Sequence, residues 1–318
     1  MDDGVDALLE FNNSAIALAV NNMVRERDKV MLANNVGSAL LSGKQCSPNV
    51  THWTFDTAEL ALVMGTALTA QGGDTWYFIR ADYVFGNSLE NDTAAVVKAK
   101  GGKILGYTAM PLGTSDYASA LLSARVSGAK VIAFALAGQD LLSCVKQAAE
   151  MGIGRRNQRI GALIMHWQDL HALGLETAQG LQLTESYYWN VNDRSRAFSK
   201  RITPHTNGMP PNMGQAGAYS AVLHYLKAVA ALGPAAAKAS GRGTVAWMKQ
   251  IPIEDDVLSN ARIREDGRVV SDVYLFEVKK PAESKSEFDL YNLRATIGPD
   301  QAWRPMPEGG AARWSVGS

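Results

Sequence analysis

The chain has 318 residues, of which 47% are hydrophobic and 19% are charged, and its 31 Lys and Arg residues equal its 31 Asp and Glu residues. This composition is typical of a globular chain with one large domain or two smaller ones. A zero net charge gives no electrostatic reason to expect nucleic acid or an anionic membrane as a partner. The sequence contains no apolar run of about 18 residues, so no membrane-spanning helix is predicted.

Short β-rich runs alternate with amphipathic stretches along the chain. Strands are predicted at Val5–Phe11, Lys29–Ala33, Thr75–Arg80, Lys103–Tyr107, Lys130–Ala135, Arg159–Met165, Gly180–Trp189 and Asp272–Lys279. Helices are predicted at Ser14–Arg27, Asp56–Gln71, Asn87–Lys100, Tyr117–Ser127, Asp140–Met151, Arg194–His205, Gln215–Leu232 and Thr244–Gln250. The segment Gly233–Gly243 is predicted to be a surface loop, and the tail from Pro281 is predicted to be irregular.

The alternation of strands and helices predicts parallel sheets that are covered by helices on both faces. Three βα units follow one another between Thr75 and Met165, and they predict one compact parallel sheet. Only two strands are predicted before residue 53, which is few for the sheet of a complete lobe.

Neither the cysteines nor the histidines of this chain predict a metal site. Cys46 and Cys144 lie far apart, and we interpret them as buried small hydrophobic residues, with a disulfide left open. His166 and His171 lack the HExxH spacing of a zinc site. No metal and no cofactor are therefore predicted. The first residues, MDDGVDALLEF, are acidic and lack the pattern of a secretory signal.

Polar residues follow the first two predicted strands, at the end where ligands of open α/β sheets bind. Asn13 and Ser14 open the first helix, where Ser14 is a candidate N-cap and free N–H groups are able to hold a carboxylate. The alternative is simple capping. The next strand is followed by Asn34–Ser38, which is either a ligand loop or an ordinary turn.

Polar and aromatic residues also follow the later predicted strands. These residues are Tyr83, Phe85, Gln139, Asp140, Trp167, Asp169 and Tyr187. Asp140 is interpreted mainly as a helix N-cap, and the aromatic residues either line a pocket or pack in the core. The sequence shows no GxGxxG after a strand, no Walker lysine loop, no GxSxG and no CxxC. It therefore predicts a binding protein rather than an enzyme, with no catalytic residue.

Several stretches, taken in order, resemble one family: NNSAIALAV, GSALLSGKQCSPNVTHWTFDT, GGDTWYFIRADYVFGNSLE, TAQGLQLTESYYWN and NARIREDGRVVSDVYLFEVKKPAESK. The chain resembles the periplasmic solute-binding proteins of branched-chain amino-acid type ABC importers, which are Leu/Ile/Val-binding-like proteins with the type I periplasmic binding fold. The resemblance implies the α/β fold class, with two doubly wound parallel-sheet lobes joined by three hinge crossings. Lobe one would comprise residues 1–53 and 190–268, lobe two would comprise residues 54–189 and 269–305, and residues 306–318 would form an irregular tail.

The resemblance also implies which residues bind a ligand held between the lobes. In lobe one these are Ser14, Asn35 and Gly37, and their neighbours Asn13 and Ser38 are predicted with them from their place after the strands. In lobe two they are Phe85, Gln139, Asp140 and Asp169, and the strand-end residues Tyr83, Trp167 and Tyr187 are predicted with them. Phe85 is not the tyrosine of the family pattern, and the 166–169 loop offers no glutamate. The ligand is therefore left open among a small amino acid, an aromatic or other carboxylate, and an amide.

The resemblance implies the substrate-binding component of an ABC importer in the periplasm. Its partners would be a small-molecule ligand and the ABC permease subunits, with no nucleic acid, and the protein would be a monomer. The alternative is a ligand-sensing regulatory domain of the same fold. By comparison with the family, the chain is expected to begin partway through lobe one, without its first strands and without an export signal. We therefore expect an incomplete, weakened first lobe and reduced ligand affinity.

Overall fold

The computed structural model describes residues 4–154 and 158–309. Within these ranges the chain forms two compact units. Unit one comprises residues 4–56, 186–272 and 298–309, and unit two comprises residues 57–154, 158–185 and 273–297. This division differs from the predicted one, which assigned residues 54–56, 186–189, 269–272 and 298–305 to lobe two.

Side-chain contacts explain why residues 298–309 belong to unit one. The indole N–H of Trp303 donates a hydrogen bond to the carbonyl of Ser271, at 2.8 Å. The guanidinium of Arg268 lies over the ring of Trp303, 4.2 Å from its centre. A cation over an aromatic face is attracted to the ring, most strongly where water is excluded. The sequence pattern carried no sign of these contacts, because the partners are distant in the chain.

The strands and helices are numbered in chain order. The strands are β1 Ala7–Glu10, β2 Val30–Ala33, β3 Val50–His52, β4 Thr75–Ala81, β5 Lys103–Met110, β6 Val131–Ala135, β7 Arg159–Ala162, β8 Gln182–Glu185, β9 Arg262–Ile263, β10 Val269–Val270, β11 Val273–Val278 and β12 Tyr291–Ile297. The helices are α1 Ser14–Glu26, α2 Thr57–Ala70, α3 Val84–Ala99, α4 Ala118–Val126, α5 Gly138–Glu150, α6 Trp167–Leu173, α7 Leu175–Ala178, α8 Asp193–Ile202, α9 Met213–Leu232, α10 Pro234–Ala239, α11 Gly241–Met248, α12 Pro299–Ala302 and α13 Met306–Gly309. Among these described helices, none is both long and apolar enough to cross a membrane.

Unit one is built on a parallel sheet in the order β1-β2-β3, with a two-stranded antiparallel pair of β9 and β10. Alternate side chains of β2 point to opposite faces of the sheet. Met31 and Ala33 join a buried cluster with α1, whereas Val30 and Leu32 join a second cluster with α9 and α11. The central strand is therefore apolar throughout because helices cover both of its faces.

Unit two contains a seven-stranded sheet in the order β12-β11-β8-β7-β6-β4-β5. Strands β4 to β8 are parallel, and β11 is antiparallel to both β8 and β12. All five residues of β6, Val131–Ala135, are buried. The predictions of an α/β fold with parallel sheets, and of successive βα units between Thr75 and Met165, are confirmed.

Two segments that were predicted to be irregular are regular. The segment Gly233–Gly243 contains α10 and the start of α11. Gly233 ends α9 with φ +82° and Pro234 opens α10, which places glycine and proline at the helix boundaries that suit them. The tail after Pro281 contains β12, which pairs with β11 along its length. Its polar residues face solvent at the edge of the sheet, and this edge position hid the strand from the pattern.

The prediction of only two strands before residue 53 is wrong, because β3 is a third. It is three residues long and includes the polar Thr51 and His52, although all three residues are buried. The register pairs Glu10 with Ala33 and Ala33 with His52. The three parallel strands therefore end level with one another.

Candidate functional site

The level ends of β1, β2 and β3 carry three short polar segments. We call residues 10–14, 34–38 and 53–56 the carboxyl edge of unit one. It contains five of the residues that were predicted to bind ligand: Asn13, Ser14, Asn35, Gly37 and Ser38. Ligands of parallel sheets bind at such an edge, where loops and helix starts converge.

Asn13, not Ser14, caps helix α1. The Asn13 side-chain oxygen accepts hydrogen bonds from the N–H groups of Ala15 and Ile16, at 3.0 and 3.2 Å. The predicted cap was therefore wrong by one residue, because Asn13 has the extended backbone of an N-cap, with φ −102° and ψ 117°, and the helix already includes Ser14. Ser14 is the first helical residue and is 1% exposed. Its hydroxyl accepts from the backbone N–H of Ser38, at 3.1 Å, and so ties the helix start to the loop after β2.

The loop after β2 is buried at its centre. Val36 and Gly37 are buried and Ser38 is fully buried. The Ser38 hydroxyl accepts from the N–H of Leu40, at 3.4 Å, and caps a short 3-10 turn. Because Ser38 is bonded through both its backbone and its side chain, the loop holds one conformation beside Ser14.

His52 holds the same loop from the neighbouring strand. Its Nε2 lies 2.6 Å from the carbonyl of Val36, and its Nδ1 lies 3.2 Å from the hydroxyl of Ser42. Burial, and then the positive charge of Arg268, lower the pKa of His52 to about 3. The ring is therefore neutral near pH 7, donating to Val36 and accepting from Ser42. His52 was not predicted as a site residue, because nothing in the local sequence shows that its ring reaches the loop after β2.

Asn35 is joined to both neighbouring strands. Its backbone N–H donates to the Thr54 hydroxyl at 3.2 Å, and its side-chain amide donates to Glu10 at 2.7 Å. The amide of Asn34 donates to the other oxygen of Glu10 at 2.8 Å. Glu10 and Thr54 were not predicted to act at the site, and Asn34 was predicted only as part of the candidate loop Asn34–Ser38. A carboxylate as the last residue of an otherwise apolar strand was the signal that could have identified Glu10.

Tyr187 lies in unit one and not in lobe two, where it was expected. It is 2% exposed, its hydroxyl donates to the carbonyl of Ser195 at 3.3 Å, and its ring meets Phe198 edge to face at 6.0 Å. A small cavity of unit one is lined by Trp53, Thr54, Ser186, Tyr187, Met213, Gly217, Val257, Leu258, Val269 and Ser271. Tyr187 is therefore a wall of a cavity that also touches the carboxyl edge of unit one.

Unit two carries its predicted residues at the ends of its parallel strands. We call residues 82–85, 111–114, 136–140 and 163–169 the carboxyl edge of unit two. Tyr83 is half-buried, Phe85 is 4% exposed, and their ring centres lie 6.0 Å apart. Burial, and then the negative charge of Asp140, raise the pKa of Tyr83. The Tyr83 hydroxyl therefore keeps its proton at neutral pH and is a hydrogen-bond donor.

Asp140 is not the N-cap that was predicted, because α5 begins two residues earlier, at Gly138. Its carboxylate accepts from the backbone N–H of Gly113, at 3.1 and 3.2 Å to the two oxygens. Asp140 thus fixes the turn after β5. Gln139 is exposed, and its amide donates to the hydroxyl of Ser143 at 3.3 Å.

Trp167 and Asp169 are placed at the end of β7. Trp167 is 1% exposed and meets Phe288 edge to face, at 5.2 Å between ring centres. The indole N–H of Trp167 has no hydrogen-bond partner among the described residues. Asp169 accepts from the backbone N–H of His166 at 3.0 Å and so caps α6. The Asp169 carboxylate therefore stabilises the backbone at the start of α6.

Glu185, at the end of β8, is a buried carboxyl group that sequence analysis did not select. Burial raises its pKa well above its usual range. The Tyr291 hydroxyl donates to its Oε1 at 3.0 Å. A carboxyl group without a nearby cation is favoured in its neutral form when it is buried.

The described residues offer no set of three or more His, Cys, Asp or Glu side chains that could hold a metal ion. Cys46 and Cys144 are both buried and form no disulfide with each other. Burial raises the pKa of the Cys144 thiol well above its usual range. Both cysteines therefore pack as small apolar residues.

Comparison with known proteins identifies the family. The sequence profile of a family described as periplasmic binding protein matches residues 1–285. The Leu/Ile/Val-binding protein homolog 6 of Brucella melitensis is 25% identical over 285 residues, which cover 87% of this chain and 71% of that protein.

Two crystal structures from Burkholderia species are similar over nearly the whole chain. A periplasmic binding protein from Burkholderia mallei is 42% identical with a TM-score of 0.92, and the match covers 98% of this chain and 82% of that chain. A branched chain amino acid ABC transporter periplasmic ligand-binding protein from Burkholderia xenovorans is 35% identical with a TM-score of 0.87 and the same coverage. The chain therefore belongs to the periplasmic solute-binding proteins of branched-chain amino-acid type ABC importers.

Proposed function

We propose that this chain binds a small carboxylic acid in the periplasm and delivers it to the permease subunits of an ABC importer. The observation that carries the proposal is the Ser14–Ser38 hydrogen bond. It joins the start of α1 to the loop after β2 at the level ends of three parallel strands. Backbone N–H groups at a helix start and in a neighbouring loop favour an anion, and the helix dipole adds to this preference.

In unit one, we assign the ligand carboxylate to the Ser14 hydroxyl, whose own proton is not used in the bond from Ser38, and to the backbone N–H of Gly37. Burial of these groups supports the assignment, because hydrogen bonds to an anion are stronger where water is excluded. Asn13 already satisfies two N–H groups of α1. The helix start alone is therefore insufficient, and the loop is required.

In unit two, we assign contacts with the rest of the ligand to Tyr83 and Phe85. An apolar ring face beside one hydroxyl donor suits an aliphatic or aromatic body that carries a polar group. The structure gives Asp140, Asp169 and Trp167 local partners or core positions, so we assign them to support these contacts rather than to touch the ligand.

Isothermal titration calorimetry with L-leucine, benzoate and acetamide tests the proposal. These probes represent an amino acid, an aromatic carboxylate and an amide without a carboxylate. We expect saturable binding of at least one carboxylate and none of acetamide. The matched variants are Tyr83→Phe, which deletes only the hydroxyl, and Tyr77→Phe, which deletes the hydroxyl bonded to Thr108 elsewhere in unit two. Tyr83→Phe should weaken binding and Tyr77→Phe should not. Binding of acetamide but of neither carboxylate would overturn the proposal.

A further inference from the structure

Left-handed backbone occurs at the end of each strand of the β1-β2-β3 sheet or within two residues after it. Glu10 and Phe11 have φ of 87° and 99°, Asn35 has 55° and Thr54 has 63°. Among the described residues, seven that are not glycine have positive φ, and these are four of them. L-amino acids avoid this region, and a β-branched residue such as Thr54 is a particular exception there. Such conformations persist only where the surrounding structure holds them, and they concentrate at ligand sites.

Hydrogen bonds connect these strained residues to one another. The Glu10 carboxylate accepts from Asn35 and from Asn34, and the Asn35 N–H donates to the Thr54 hydroxyl. A carboxylate only accepts, so it fixes how both amides are turned, with Nδ2 towards Glu10 and Oδ1 away from it. Both Oδ1 atoms are buried and have no hydrogen-bond partner among the described residues.

Helix α9 closes on the same group through two glycines. A Cβ atom at Gly214 would lie 2.3 Å from Nδ2 of Asn35, and one at Gly217 would lie 2.5 Å from Oδ1 of Asn34. The Asn34 amide also donates to the carbonyl of Gly214, at 2.8 Å. The two amides are therefore held by a carboxylate on one side and by helix backbone on the other.

An ordinary turn that only ends the strands would not require these polar side chains. Glycine adopts left-handed backbone without steric cost, and the chain uses it at many other turns. Here, Glu, Asn and Thr occupy the left-handed positions and bond to each other through their side chains. The chain thus carries polar side chains here in spite of the steric cost of left-handed backbone. This indicates that the positions of these side chains are important.

We propose that Glu10 is a positioning residue for ligand binding. Its carboxylate holds Asn35 in left-handed backbone and thereby sets the direction of the loop that carries Gly37 and Ser38. This inference rests on the proposed function, because Ser14 and Gly37 are the assigned carboxylate contacts and Ser38 is hydrogen-bonded to Ser14. Glu10 touches the loop and not the ligand, so its removal changes affinity without removing a ligand contact.

The test compares Glu10→Gly and Glu10→Gln with wild type. Glycine removes the carboxylate together with the backbone strain, whereas glutamine keeps one accepting oxygen and loses the other. The control is Asn207→Gly, which relieves a left-handed residue, φ 54°, at an exposed turn of unit one. Dissociation constants for L-leucine and benzoate are measured by calorimetry, and the melting temperature without ligand is measured by scanning calorimetry.

We expect Glu10→Gly to bind at least about tenfold more weakly than the control Asn207→Gly, with a melting temperature that stays above the temperature of the titration. Glu10→Gln should lie between Glu10→Gly and wild type. If Glu10→Gly does not fold, Asn35→Gly is the second test. Glycine adopts the same left-handed backbone without the amide side chain, and the affinity should fall by a similar factor. Unchanged affinity in Glu10→Gly or in Asn35→Gly would overturn the inference while leaving the proposed function intact. Failure of wild type to bind either probe would overturn the proposed function, and the inference with it.

Discussion

The Ser14→Ala variant removes a hydroxyl that accepts a hydrogen bond within unit one and that we assign as a donor to the ligand. Its effects on stability and on ligand affinity report on these two roles. The Ser14 hydroxyl accepts the backbone N–H of Ser38 at 3.1 Å, and both residues are almost completely buried. Alanine leaves this N–H without a partner in a place that water does not reach. An unsatisfied buried donor costs about 1–3 kcal/mol. We therefore expect the free energy of unfolding of unit one to fall by that amount.

The same variant should weaken ligand binding. If the hydroxyl also donates to the ligand carboxylate, the lost hydrogen bond to a charged group is worth about 1.5–3 kcal/mol. That range corresponds to roughly a 10- to 150-fold rise in the dissociation constant. The assay is calorimetric titration with L-leucine and benzoate, combined with scanning calorimetry of the free protein.

Ser199→Ala is the matched control for this prediction. Ser199 is a second buried serine of unit one, and its hydroxyl pairs with Thr203 at 3.4 Å, away from the carboxyl edge. The control should change stability modestly and leave affinity unchanged. A Ser14→Ala variant with wild-type stability and wild-type affinity would refute the reasoning, because the buried N–H would then have needed no partner.

Three further predictions follow from buried groups of unit one. The pKa of His52 is lowered from 6.5 to about 3, so below pH 6.5 the unfolded state binds a proton that the folded state does not. The free energy of unfolding should therefore fall by about 1.4 kcal/mol per pH unit as the pH is lowered from 6.5 towards 3. Chemical denaturation of His52→Gln should lack this contribution, and an equal dependence of unfolding free energy on pH in variant and wild type would contradict the prediction. Gly217→Ala places a methyl group against Asn34 and should cost about 1–3 kcal/mol in chemical denaturation; no loss would show that the helix has room to move. Arg268 is fully buried, and its guanidinium lies 3.6 Å from the Asp56 carboxylate. Arg268→Met leaves this carboxylate without its cation and should lower the free energy of unfolding by about 3–5 kcal/mol. A change below about 1 kcal/mol would show that the ion pair is not needed for stability.

Local sequence patterns predicted the elements whose burial is regular. The apolar run Val131–Ala135 reads as a strand buried on both faces, and the structure shows it so. The short strand Val50–His52 was missed because it is three residues long and two of them are polar. Thr51 and His52 are nevertheless buried, and they hydrogen-bond to the Trp53 indole and to the Ser42 hydroxyl. Periodicity reports burial of apolar side chains and carries no information on such partners.

The candidate site shows the same limit. The positions of Ser14 and Ser38 after two strands were visible in the sequence, because strand ends mark ligand edges. The hydrogen bond between them was not visible, and neither was the carboxylate of Glu10 that orients Asn35. Tyr187 was assigned to the wrong unit, because a pattern of aromatic residues does not show where the chain crosses between units.

A crystal structure of the protein grown with its tightest-binding carboxylate tests the central claim most directly. The proposed function predicts that a carboxylate oxygen of the ligand lies within about 3 Å of the Ser14 hydroxyl or of the Gly37 backbone nitrogen, as hydrogen bonding requires. A ligand whose carboxylate is held elsewhere, with no contact to the carboxyl edge of unit one, would contradict it.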